Sequence, residues 1–134
     1  MIKFGTDGWR GEIARDFTFE NLYKVALAAA MYIEKQDDTE KSLVIGYDTR
    51  FLGKEFSEDV AKVLAWKGIK VYMTDGVSST PQVSYHTKMK NATLGIMITA
   101  SHNPGIYNGF KIKASFLKYL RLINNFKVFS FPQY

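Results

Sequence analysis

Three short apolar runs, Ser42 to Tyr47 (SLVIGY), Lys70 to Thr74 (KVYMT) and Thr93 to Ile98 (TLGIMI), alternate with longer stretches whose apolar residues recur at helical spacing. That alternation constrains the fold more than any other feature. A short apolar, partly β-branched run bounded by polar residues reads as a buried strand, and strands separated by helices build an α/β layer architecture with a largely parallel sheet. Thr18 is placed to cap a first helix in which Leu22, Val25, Ala26, Ala29, Ala30 and Ile33 share one face, ending in the polar cluster from Gln36 to Lys41. A second helix is predicted from Lys54, with Phe56, Val60, Val63 and Leu64 inward and Gly68 just past its end. Thr80 as cap and Pro81 as first helical residue open a short third helix to about Met89. Tyr107 to Ala114 is predicted as a turn and a further strand.

Composition narrows the class. A hydrophobic fraction of 46% with 23% charged residues excludes a disordered or collagen-like chain. The absence of cysteine excludes disulfides, thiolate metal sites and a thiol nucleophile. No apolar run reaches the roughly 20 residues a bilayer span needs, and Met1 to Gly11 has no basic-then-apolar leader, so a cytoplasmic protein without membrane partners is expected. The net charge of +5 is uneven: the first 116 residues carry only +2, and Lys118, Arg121 and Lys127 supply the rest. Such a distribution offers no basic stripe for nucleic acid. A domain over residues 1–116 and an atypical apolar and basic tail over 117–134 are therefore expected.

Two segments read as shaped loops. In Gly5-Thr6-Asp7-Gly8-Trp9-Arg10-Gly11 three glycines permit backbone angles that other residues resist. Thr99 to Lys113 places a hydroxyl, Ser101, with His102 and Asn103 on a chain constrained by Pro104-Gly105 and turned by Asn108-Gly109. Ligands of α/β sheets bind outside the carboxyl ends of the strands, where Ser101 and Asp48-Thr49-Arg50 both lie. The alternative reading is a polar turn whose Ser and Asn side chains bond their own backbone. Other patterns carry less. Gly46 through Lys54 has the wrong spacing for a phosphate-binding P-loop, with Glu55 where Ser or Thr is needed. His86 has no second ligand at metal spacing.

Thr99-Ala100-Ser101-His102-Asn103-Pro104, followed by Tyr107-Asn108-Gly109-Phe110-Lys111, resembles the phosphoserine loop of the α-D-phosphohexomutases, the phosphoglucomutase and phosphomannomutase family. Phe4 to Gly11 is similar to that family's N-terminal signature, and Gly46 to Arg50 to its next block. The resemblance implies a three-layer α/β/α sandwich with a mixed, mostly parallel sheet, the family's domain I. It also implies reversible 1,6-phosphoryl transfer on a hexose phosphate, through a hexose 1,6-bisphosphate intermediate. Ser101 would carry the phosphoryl group, and Mg²⁺ would bind through a phosphate oxygen there. Arg10 would contact the phosphoserine region, while His102 and Lys111 would transfer protons or face phosphate; Thr6, Asn103 and Arg50 follow as substrate or phosphate-loop residues, Asn103 and Arg50 as loop and domain-contact residues. Each has a plainer alternative: Arg10 bonding its own loop, His102 on a surface loop, Lys111 on a solvated strand face with Lys113.

The family assembles its site from four domains, and the resemblance covers only residues 1 to about 116. The remaining metal ligands, the sugar-reading loop and the fourth domain's phosphate loop are not in this sequence, so the isolated chain is expected to lack turnover. The tail is expected to result from a frameshift, a premature stop or a truncation, and to cover exposed surface or mediate self-association. A non-catalytic module that binds phosphorylated ligands or itself is the alternative.

Overall fold

A computed structural model describes residues 2–113. The tail expected from residue 117 lies outside the described residues. Continuous apolar runs become strands buried on both faces: β2 (Ser42–Tyr47) and β4 (Leu94–Ile98) have no exposed residue, whereas β3 (Lys70–Met73) is a partly exposed edge. A fourth strand, β5 (Tyr107–Lys113), runs antiparallel to β4, pairing Gly95 with Lys113 and Ile98 with Phe110.

The Gly-rich run departs from its expectation. Its second half is a strand, β1 (Gly8–Glu12), antiparallel to β5, with Gly8 opposite Lys111 and Arg10 opposite Gly109. The glycine at position 8 serves close approach more than a free loop: a side chain there would overlap the Phe110 carbonyl oxygen. The sheet order is β1-β5-β4-β2-β3, so four strands point one way and β5 alone runs back.

Helices cover both faces. α1 (Phe19–Glu34) starts where Thr18 accepts a hydrogen bond from the Asn21 amide at 3.2 Å, as its cap position predicts. α2 (Gly53–Trp66) begins one residue before the expected Lys54, after Leu52 in a left-handed conformation, and Gly68 follows its cap at φ 80°. Both contribute to one core with Leu43, Ile45, Ile96, Ile98 and Phe110. Trp9 stacks on Phe17 at 4.7 Å, and Phe17 meets Phe56 edge-on at 5.0 Å, tying β1 to α2. The third helix, α3 (Thr80–Met89), lies on the opposite face, where Val83 packs with Val44 and Met97. Its cap is Ser79 rather than Thr80, because Ser79 and Gln82 form a reciprocal capping box. Three layers result, α/β/α, as the resemblance implies. Among the described residues no helix is long and apolar enough to cross a membrane.

The topology marks one crevice. The connection from β2 through α2 leads to β3 on one side of β2, whereas β3 through α3 returns to β4 on the other side. Connections diverge between β2 and β4, and the space outside their carboxyl ends is where such sheets accept ligands.

Candidate functional site

Asp48 follows β2 and Thr99 follows β4, and their side chains meet across that crevice: the Thr99 hydroxyl donates to Asp48 Oδ2. Thr99 Oγ1 in turn accepts the Ser101 amide at 2.9 Å. Ser101 holds a left-handed backbone, φ 58°, which a non-glycine residue adopts only when its surroundings enforce it. Its side chain is exposed, with Oγ 3.5 Å from His102 Nδ1, at the outer limit of a hydrogen bond.

Arg50 holds the loop from beneath. Its guanidinium donates to the carbonyl oxygens of Ser101 (2.8 Å), Asn103 (2.6 Å), Pro104 (2.9 Å) and Tyr107 (2.9 Å). Asn103 closes the turn, its amide side chain donating to the Ala100 carbonyl at 2.8 Å. Both side chains hold the loop together, and all four Arg50 guanidinium bonds go to carbonyl oxygens.

A second group sits on the α3 face of the β1–β5 pair. Arg10 is opposite Gly109 and Lys111 opposite Gly8, two residues along each strand, so the Arg10 and Lys111 side chains lie diagonally on one face. With Thr6, Lys3, Asp7 and Thr99 they line a cleft of about 400 Å³. Lys111 Nζ lies 3.4 Å from Asp7 Oδ2 with its side chain only 15% exposed, which does not fit the solvated-face alternative. Gly109 allows this pair of strands to meet β4, since a side chain there would come within 2.5 Å of the Thr99 carbonyl oxygen. Thr99 belongs to both groups: it lines the cleft and holds Ser101.

The structure thus brings Thr6, Arg10 and Lys111 into one cleft and Ser101, His102, Asn103 and Arg50 into the adjoining loop. Sequence reasoning missed Lys3, Asp7, Asp48 and Thr99 as site residues. Asp48 carried a signal, a carboxylate at a strand end two residues before Arg50, but its partner is 51 residues away. For Mg²⁺, which takes oxygen ligands, no group of three His, Asp or Glu converges among the described residues. Asp48 already faces Thr99 and Arg50, and Asp7 faces Lys111, so these side chains do not make a metal site by themselves.

Comparison with known proteins agrees with this architecture. The profile of the phosphoglucomutase/phosphomannomutase α/β/α domain I matches residues 1–117. The phosphoglucomutase of Staphylococcus haemolyticus is 42% identical over 114 residues, and that of Staphylococcus saprophyticus 44% over 115. These alignments take in 83% and 84% of the chain but 21% of either relative, so the chain spans about a fifth of the length of the proteins it matches. A solved structure from Thermus thermophilus, described as a phosphomannomutase, superimposes with a TM-score of 0.82 and 36% identity, over 92% of this chain and 29% of that one. A Burkholderia thailandensis protein at 22% identity shares the fold, with a TM-score of 0.69. The chain belongs to the phosphoglucomutase/phosphomannomutase family, whose α/β/α domain I it carries.

Proposed function

We propose that this chain is the phosphoserine-bearing domain of a mutase that moves a phosphoryl group between the 1 and 6 positions of a hexose phosphate. The observation that carries the reading is Ser101 itself: an exposed hydroxyl on a loop pinned from both sides, next to a cleft lined by Lys3, Arg10 and Lys111. Phosphoryl transfer depends on positioning and charge neutralisation, and these are what the two groups supply.

In the proposed cycle a sugar hydroxyl attacks the phosphorus on Ser101. The new P–O bond forms as the bond to Ser101 Oγ breaks, and the hydroxyl proton passes to a protein base while Oγ regains a proton. After the bisphosphate reorients, the reverse step returns its other phosphate to Ser101. His102, whose Nδ1 lies 3.5 Å from Oγ, would exchange the proton there. Arg10 and Lys111 face the dianion, and Asp7 holds Lys111 until phosphate competes for it. Bound Mg²⁺ would neutralise charge on the transferred group. Because the matched stretch is only 21% of the relative's length, the isolated chain is proposed to lack turnover.

The test is a chimera in which residues 1–113 replace the matching stretch of the Staphylococcus haemolyticus relative. Conversion of glucose 1-phosphate, with a trace of the 1,6-bisphosphate and Mg²⁺, is expected and should fall to background in Ser101→Ala. Undiminished turnover in that variant sinks the reading and favours a module that binds phosphorylated ligands without chemistry.

A further inference from the structure

Both backbone polar groups of Ser101 are held by side chains, and both side chains lead to one carboxylate. The amide donates to Thr99 Oγ1, and the carbonyl accepts from Arg50. Thr99's hydroxyl proton goes to Asp48 Oδ2, which obliges its oxygen to act as acceptor toward Ser101. Arg50 is anchored to the same group twice over: its backbone amide donates to Asp48 Oδ1 at 3.1 Å, and its buried Nε, without a hydrogen-bond partner, lies 3.6 Å from Oδ2.

From this convergence we infer that Asp48 is the positioning residue of the Ser101 hydroxyl, setting the left-handed backbone that presents Oγ for phosphoryl transfer. The inference rests on the phosphoserine reading for its chemistry but not for its geometry. Asp48 faces three donors and has only acceptors to offer, a task no isostere shares. An asparagine presents one oxygen and one NH₂, so whichever way it turns, a donor meets a donor. Displacing a reactive group by an ångström costs rate more than binding. Loss of Asp48 is therefore expected in kcat, with KM largely kept.

The experiment has two arms. In the full 134-residue chain, amide exchange at Ser101 is measured by NMR in Asp48→Asn and Thr99→Val. Exchange should quicken by about tenfold or more in both, while the Ile96 and Met97 amides in the central strand stay within about twofold of the parent. Thr99→Ser, which keeps the hydroxyl, should restore Ser101 protection to within about threefold. In the chimera, Asp48→Asn should lower kcat about tenfold or more, with KM within about threefold. Ser101 exchange within about twofold of the parent in either variant overturns the inference, as does an unchanged kcat in a chimera that Ser101→Ala inactivates. If Ser101→Ala leaves turnover intact, the mutase reading fails while the exchange data still decide the positioning. Should the chimera not turn over, exchange decides alone.

Discussion

Arg50 commits four N–H bonds to four carbonyl oxygens spread from Ser101 to Tyr107, a task that a planar, forked donor performs and an ammonium cannot. Arg50→Lys should therefore destabilise the chain by about 1–3 kcal/mol in urea unfolding, despite conserving charge. A loss close to zero would show that water replaces the guanidinium at no cost. The loop's residue types were legible in the sequence because Thr99 to Gly105 is contiguous and bounded by Pro104 and Gly105. The contacts that shape it were not. Asp48 and Thr99 are both ordinary polar residues after strands, and only the adjacency of β2 and β4 makes them partners. Lys3 and Asp7 escaped notice for a similar reason: their cleft exists only when β1 lies beside β5.

At the scale of elements, helix starts test how local rules combine. Ser79→Ala should cost about 1 kcal/mol by removing the capping box, while Thr80→Ala, in the first helical position, should stay within about 0.5 kcal/mol. Equal losses would argue against the cap geometry. Phe56→Ala removes a ring that both Phe17 and Phe19 contact and should cost about 3–5 kcal/mol by the same measurement. In the first turn of α1, Lys24 bonds Glu20 at 2.8 Å and holds its carboxyl below the ordinary value. The small benefit of that exposed pair is present above the unfolded value of 4.5 and fades as pH falls through the lowered folded one. An NMR titration of Lys24→Ala should move Glu20 back up. Helices and central strands were legible because their periodicity is local. β1 was not, since Gly-rich segments favour loops and its partner Lys111 is a hundred or so residues away.

For the molecule as a whole, the two tryptophans divide the labour of reporting on it. Trp9 is 3% exposed and stacked on Phe17 in the core, whereas Trp66 is 75% exposed. A Trp66→Phe variant leaves Trp9 as the sole tryptophan, and its fluorescence, excited selectively over tyrosine, should change together with far-UV circular dichroism across a urea titration. Separate midpoints would mean that β1 leaves the sheet before the rest unfolds. The outcome matters because β1, the first strand of the chain, is zipped to β5, the last of those described. Synthesis on the ribosome runs from one to the other, so Arg10 emerges early and waits for Lys111, which arrives about a hundred residues later. A nascent chain interrupted before β5 carries Arg10 but not yet Lys111. The cleft is thus a product of the final moments of the domain's translation, and a ribosome stalled within β4 would hold a polypeptide that lacks the Thr99 and Lys111 walls of that cleft.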